Sequence, residues 1–114
     1  MRIILDTNFL IYCAKFKIDF FSEIDRICDF NYKIAVLDIT LNELERVKPK
    51  GLPLIKKYIE KIDIIKAEEE FVDRELIRLS HNNDIIATQD IKLKRKLKKP
   101  VIVIRQEKYL QLIN

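Results

Sequence analysis

The stretch Met1-Arg-Ile-Ile-Leu-Asp-Thr-Asn8 opens the chain with an apolar run that ends abruptly in polar residues. Residues 3–5 are typical of a buried strand. Asp6 follows directly, and a carboxylate at the end of a core strand is costly to desolvate unless something pairs with it. In a parallel α/β sheet, ligands bind in the crevice beyond the carboxyl ends of the strands. Asp6 is therefore a candidate site residue, and the alternative is that Asp6 or Asn8 merely caps the next helix.

Strand patterns and helix patterns alternate along the rest of the chain. The predicted strands are residues 2–5, 34–37, 62–65, 85–88 and 101–104. The predicted helices are residues 8–17, 20–30, 41–48 and 54–59, a helix from about residue 67 to 79, and a short basic helix around residues 93–97. This alternation predicts an α/β fold of three layers, α/β/α, around a central, mostly parallel sheet of four to five strands. We expect one domain over residues 1–114.

Composition excludes several classes of protein. Apolar residues make up 48% of the chain and charged residues 35%, as in a globular domain. We expect no membrane segment and a cytoplasmic location, because neither a membrane-length apolar run nor a signal peptide is present. Cys13 and Cys28 lack the spacing of a paired-cysteine motif. His81 is the only histidine, which excludes sites built on several imidazoles, and we interpret it as an ordinary loop residue.

Positive charge is concentrated in one short segment near the end of the chain. The net charge is +4, from 22 basic and 18 acidic residues. Six of the basic residues lie within residues 92–99; they are Lys92, Lys94, Arg95, Lys96, Lys98 and Lys99. Without them, 16 basic residues would face 18 acidic ones. The segment is a candidate anion-binding patch, although a solvated helix is the common alternative for such a run.

Four acidic residues are predicted near the same edge of the sheet. Asp6 ends the first strand, Asp90 follows the fourth, and Glu43 lies in the first turn of the helix after the second. Asp73 lies one to two turns into a helix that begins at this edge. Carboxylates that share a pocket raise one another's pKa unless a cation lies among them, and hard oxygen ligands suit Mg²⁺ or Mn²⁺. The alternatives are a capping box of Thr40 and Glu43, and a solvated helix face at Asp73.

These residues resemble the motifs of the PIN-domain ribonucleases, in particular the subgroup of RNA-processing and archaeal VapC-like members. The matching segments, in chain order, are residues 3–8 (Ile-Ile-Leu-Asp-Thr-Asn), 41–44 (Leu-Asn-Glu-Leu), 73–76 (Asp-Arg-Glu-Leu), 87–90 (Ala-Thr-Gln-Asp), 93–97 (Leu-Lys-Arg-Lys-Leu) and 105–110. The segment 87–97 is the most specific match. The resemblance covers nearly the whole chain, with the four acids in the order that the family has.

The resemblance implies a metal-dependent endoribonuclease that hydrolyses RNA phosphodiester bonds, in RNA or ribosomal-RNA processing or as the toxin of a toxin–antitoxin pair. The implied ligands of Mg²⁺ or Mn²⁺ are Asp6, Glu43, Asp73 and Asp90. Asn8 and Thr88 would support the site by hydrogen bonding, and the basic segment would bind RNA. The implied partners are the RNA substrate, an antitoxin or a ribosome-processing partner, and a second copy of the chain in a homodimer.

Two departures and two other classes of function remain open at this point. Arg74 stands where related sequences often carry a second acid, and the loop between Asp73 and Asp90 is about a residue short. Glu75 or Asp84 is therefore an alternative contributor to the acid cluster. One alternative function is a non-catalytic RNA-binding module with the same fold. The other is a phospho-acceptor signalling domain, which the single acid after the first strand disfavours.

Overall fold

The structure, a computed structural model, describes residues 1–114 without interruption. Its strands are β1 (Arg2–Leu5), β2 (Lys33–Leu37), β3 (Asp63–Ile65), β4 (Ile85–Ala87), β5 (Val101–Arg105) and β6 (Tyr109–Ile113). Its helices are α1 (Thr7–Lys15), α2 (Phe20–Ile27), α3 (Asp38–Val47), α4 (Leu52–Ile59), α5 (Val72–His81) and α6 (Ile91–Lys94). None of the helices combines the length and the apolar composition needed to cross a membrane.

The six strands form one sheet in the order β3-β2-β1-β4-β5-β6. The first five strands are parallel, and β6 runs antiparallel to β5. Strand β1 is central, with Ile4 opposite Ala35 of β2 on one side and Ile86 of β4 on the other. The three-layer, mostly parallel fold is confirmed. The carboxyl ends of β1, β2 and β4 meet at one edge because parallel neighbours end on the same side.

The sequence predicted four or five strands, and the sixth is β6. A tight turn joins β5 to β6, in which the Lys108 N–H donates to the Arg105 carbonyl at 3.0 Å. The turn residues Gln106 and Glu107 both have left-handed backbones, with φ of 52° and 56°. Such hairpin turns are usually marked by glycine or asparagine, which are absent here, so the sequence did not signal the turn.

Two apolar cores hold the layers together, one on each face of the sheet. The larger core lies under α1 to α4 and includes the fully buried Phe9, Phe20, Leu44 and Ile55. The smaller core lies under α5 and α6. The middle strands are buried on both faces, which explains their continuous apolar runs.

Helix α3 begins at Asp38, directly after β2, and this start contradicts the predicted capping box. Thr40 lies inside the helix, fully buried, and its Oγ1 has no hydrogen-bond partner. Asp38 instead links the start of α3 to the segment after β3, since its Oδ1 accepts from the Ile39 N–H at 2.8 Å and the Ala67 N–H at 2.9 Å. Glu43 consequently lies in the second turn of α3 rather than in the first.

Helix α5 begins at Val72, about five residues later than predicted. Residues 66–71 form a loop that is fastened by the Asp38–Ala67 bond and by Glu75. Glu75 is fully buried, accepts from Arg78 Nε at 2.6 Å and Nη2 at 3.0 Å, and accepts from the Glu68 N–H at 2.7 Å. The later start places Asp73 in the first turn of its helix, closer to the edge than the sequence predicted.

Replacing Glu75 with glutamine should destabilise the protein by about 2 kcal/mol, because the buried side chain would lose its charge-assisted hydrogen bonds with Arg78. The Arg78 guanidinium holds the pKa of Glu75 below its ordinary value of 4.5. The stabilisation is therefore fully present above pH 4.5 and is lost as the pH falls through the lower folded-state value. Urea unfolding of both proteins between neutral and acidic pH measures this difference. If the difference in free energy of unfolding between the two proteins stayed constant down to the most acidic pH, the stabilisation assigned to ionised Glu75 beside Arg78 would be contradicted.

Candidate active site

Asp6 lies at the carboxyl end of the central strand β1 and caps helix α1. Its Oδ1 accepts a hydrogen bond of 2.8 Å from the Thr7 N–H. Its own backbone N–H donates to the Ala87 carbonyl at the end of β4, at 2.9 Å. The Asp6 residue is only 4% exposed. Asp6 therefore does cap the helix, and its second carboxylate oxygen remains for another partner.

That second oxygen is held by Thr88, a fully buried residue just after β4. The Thr88 hydroxyl donates to Asp6 Oδ2 at 2.8 Å, and the same Oγ1 accepts from the Asp90 N–H at 3.1 Å. One hydroxyl thus joins the ends of β1 and β4. Asp6 and Asp90 lie on the same edge of the sheet, as predicted.

The segment that carries Asp90 is fixed on both sides. Asp90 Oδ1 accepts from the backbone N–H groups of Lys92, at 2.9 Å, and Leu93, at 3.1 Å, and so caps α6. The neighbouring Gln89 accepts from the Ile104 N–H of β5 at 2.6 Å. Asp90 Oδ2 makes no hydrogen bond within the protein, so this oxygen is free to bind an external ligand.

Glu43 of α3 and Asp73 of α5 complete a set that we call the acid rim, defined as Asp6, Glu43, Asp73 and Asp90. Burial raises the pKa of Asp73, and the charges of Asp90 and Glu43 raise it further, while the Lys96 ammonium opposes the rise. These mutual effects place the carboxylates within electrostatic reach of one another.

Asp6 is the most strongly perturbed member of the acid rim. Burial raises its pKa to about 6 against the opposing effect of the hydrogen bonds from Thr88 and Thr7, and the charges of Asp73 and Glu43 add to the rise. No lysine or arginine forms an ion pair with Asp6, Asp73 or Asp90. Glu43 has only a loose one, 3.9 Å from Arg46. The acid rim is therefore a concentration of negative charge that the protein leaves largely unneutralised.

The donor chemistry of the acid rim fits a hard divalent cation, because every side-chain donor is a carboxylate oxygen. The buried Thr7 hydroxyl next to Asp6 also has no hydrogen-bond partner. In this conformation no three acidic side chains lie close enough to surround one ion. Binding such an ion would require rotation of the more exposed carboxylates of Glu43, Asp73 or Asp90. Those rotations are open to half-buried and exposed side chains.

Three other predicted or alternative site residues make no hydrogen bond to the acid rim. Asn8 is exposed in the first turn of α1, and no hydrogen bond joins its side chain to the acids. Glu75 is committed to Arg78. Asp84 lies at the opposite edge of the sheet, where Arg2 Nε and Nη2 bind it at 3.0 and 2.7 Å. Neither alternative acid replaces Asp73.

The basic segment is divided between the two edges of the sheet. It forms the crossover from β4 to β5 and returns to the other edge, because both strands are parallel. The Lys92 backbone and the Lys96 ammonium lie near the acid rim, whereas the Lys98 ammonium contacts Asn83 Oδ1 at 3.3 Å at the amino ends of the strands. Lys99 lines a cleft there with Met1. Between them, Lys94 is half-buried and Arg95 is exposed.

Two residues beside the acid rim were missed by the sequence analysis. Arg46 lies one turn after Glu43, and the three-residue spacing on a helix was the available signal. The unpartnered hydroxyl of Thr7 gave no signal, because no sequence pattern distinguishes a satisfied buried hydroxyl from an unsatisfied one.

Solved structures show the same fold in other proteins. The PIN domain endonuclease Utp24 superposes with a TM-score of 0.82 over 97% of this chain and 90% of that chain, at 19% identity. A chain from the crystal structure of VapBC2 from Rickettsia felis, which was solved bound to a DNA fragment from the VapBC2 promoter, superposes with a TM-score of 0.60. The superposition covers 90% of this chain and 98% of that chain, at 20% identity.

Sequence comparison gives the family. Ribonuclease VapC4 of Methanocaldococcus jannaschii is 34% identical over 125 aligned positions, which cover 97% of this chain and 95% of that protein. The family model described as a PIN like domain matches residues 3–107, including all four residues of the acid rim. The protein therefore belongs to the PIN-like domain family.

Proposed function

We propose that the protein is a divalent-metal-dependent endoribonuclease that hydrolyses RNA phosphodiester bonds at the acid rim. The observation that carries the proposal is the junction of Asp6 and Asp90 through the Thr88 hydroxyl, at an edge where no basic side chain pairs with either acid. Membership of the PIN-like domain family and 34% identity to a ribonuclease support the same activity. The proposed ligands of Mg²⁺ or Mn²⁺ are Asp6, Glu43, Asp73 and Asp90.

The residues of the acid rim have different parts in this proposal. A bound divalent ion supplies positive charge at the phosphate and activates a water molecule for in-line attack. Thr88 and Thr7 orient Asp6 so that its ionised form is retained despite burial. Asp90 keeps one oxygen on the α6 backbone and presents the other. Lys96 contributes a positive charge near Asp73, where it would bind an incoming phosphate.

Two cellular roles fit this activity. The identity to a protein named ribonuclease VapC4 supports the toxin of a toxin–antitoxin pair, with an antitoxin as protein partner. The basic segment, which adds positive charge beside the acids, supports a role in RNA or ribosomal-RNA processing with a ribosome-processing partner. Both roles require the same cleavage chemistry. A non-catalytic RNA-binding module would have no use for the buried carboxylate of Asp6, which has no basic partner and costs stability.

Replacing Asp6 or Asp90 with asparagine should abolish cleavage, because each change removes a proposed metal ligand while keeping the side-chain shape. We expect at least about a hundredfold loss of rate on labelled total or ribosomal RNA with Mn²⁺ or Mg²⁺, and no cleavage by the wild type in EDTA. Asp84→Asn is the matched control, since it removes the same charge at the opposite edge and should retain activity. Metal-independent cleavage that survives in both variants would refute the proposed site.

Neutralising lysines near the acid rim should weaken RNA binding more than neutralising lysines at the far edge. The double variant Lys92→Gln, Lys96→Gln is expected to lower affinity and to reduce the slope of log Kd against log salt by about 1.4, for two lost phosphate contacts on single-stranded RNA. Lys98→Gln, Lys99→Gln makes the same change in charge away from the rim and should leave the slope nearly unchanged. Equal effects of the two variants would show that the total positive charge of the protein, rather than the position of the lysines, determines its affinity for RNA.

Without metal, Asp6→Asn should make the protein more stable at neutral pH. The folded-state pKa of about 6 exceeds the ordinary value of 3.8, so ionised Asp6 costs stability. The cost is absent below pH 3.8, grows up to pH 6, and stays constant above it. We expect a gain of about 1–2 kcal/mol at neutral pH in EDTA, after one weakened hydrogen bond is allowed for.

Thermal unfolding across this pH range, with EDTA or Mn²⁺, measures the effect. Mn²⁺ should raise the midpoint of the wild type and leave that of Asp6→Asn nearly unchanged, because a ligand stabilises only the state that binds it. A variant less stable than the wild type in EDTA at every pH would contradict the charge repulsion assigned to the acid rim.

A further inference from the structure

A large aromatic side chain stands exposed next to the acid rim. Phe71 immediately precedes α5, two residues before Asp73, and is 56% exposed. The Arg74 guanidinium lies over the Phe71 ring, 5.5 Å from its centroid. This cation–π contact holds the ring in place while leaving more than half of the residue accessible. The arrangement presents a fixed aromatic surface to the solvent beside the proposed metal ligands.

Phe71 also lines a cleft that opens onto the acid rim. The cleft has a volume of about 270 Å³ and lies between α3 and the segment before α5. Glu43, a member of the acid rim, forms part of its wall together with Arg46, Asn42 and Glu70. Because Glu43 belongs both to the acid rim and to the wall of the cleft, a molecule bound at the acid rim lies next to this cleft.

We propose that this cleft binds an unpaired nucleobase of the RNA, next to the phosphate at the acid rim, with the Phe71 ring as its stacking surface. The proposal rests on the ribonuclease function proposed above and adds a binding site for one base beside the phosphate. Bases stack on aromatic side chains regardless of sequence, because every base has a π face. Asn42 and Arg46 line the same cleft, and their side chains supply hydrogen-bonding groups for the edge of a base.

Charge decides which part of a nucleotide enters the cleft. Glu43 and Glu70 both line the cleft and Arg46 offsets only one of the two negative charges, so a phosphate group would be repelled there. A neutral base is not repelled, and its N–H groups can donate to these carboxylates. The base must be unpaired, since a paired base is enclosed between its neighbours in the duplex and offers no free face.

The test is a double-mutant cycle between the Phe71 ring and the bases of the RNA, measured as binding affinity in EDTA. The ligands are a labelled single-stranded RNA oligonucleotide and an abasic oligonucleotide of the same length and charge. We expect Phe71→Leu to weaken binding of the normal RNA about tenfold and binding of the abasic strand hardly at all. Phe71→Tyr, which keeps an aromatic ring, should bind like the wild type.

Tyr12→Leu is the control, because it removes another exposed aromatic ring, which stacks on Phe16 just after the end of α1 and lies outside the cleft. The inference is overturned if Phe71→Leu binds normal RNA as tightly as the wild type does, or if it weakens both strands equally. Because the affinities are measured without metal, the result does not depend on cleavage. If the cycle shows coupling between the Phe71 ring and the bases but the wild type does not cut RNA with Mn²⁺, the proposed function is refuted and the base-binding site stands.

Discussion

The structure depends on one constraint, which is that the carboxylate buried at the end of β1 must be supplied with hydrogen bonds. Asp6 receives one from the Thr7 backbone and one from the Thr88 hydroxyl. Because Thr88 follows β4 and also accepts from the Asp90 N–H, satisfying Asp6 fixes the position of the second acid. The order of the sheet then adds the other two, since α3 starts after the neighbouring strand β2 and α5 starts after β3. The hydrogen bonds of Asp6 therefore fix Asp90 directly, and the order of the strands places Glu43 and Asp73 at the same edge.

The acid rim differs from other parts of the molecule in how its carboxylates are paired with basic side chains. Elsewhere, three acids whose side chains are largely buried are paired: Asp84 with Arg2, Glu75 with Arg78, and Glu23 with Arg26 at 2.9 Å. At the acid rim, three of four carboxylates have no basic partner, although burial raises the pKa of two of them. Leaving these acids unpaired costs stability, and such local cost is typical of a site kept for an external ligand.

The parts of the fold that the sequence predicted are those that rest on local signals. Apolar runs revealed β1, β2, β4 and β5, and the polar residues after β1 and β4 revealed Asp6, Thr88 and Asp90, since strand ends are defined by where an apolar run stops. The start of α5 was wrong because the run Glu68–Glu70 resembles a first helical turn, whereas the tertiary bond from Glu75 to the Glu68 backbone keeps it as loop. Long-range bonds of this kind leave no mark in a local pattern.

The basic segment was interpreted from its charge alone. Six basic residues in eight suggested one surface, but the crossover between the parallel strands β4 and β5 carries them from one edge of the sheet to the other. The electrostatic consequence is specific. Four carboxylates repel the phosphates of RNA, and the Lys96 ammonium near Asp73 offsets only part of that charge. A cation at the acid rim would remove the repulsion, so metal binding and RNA binding should strengthen each other by the same factor, as linkage requires.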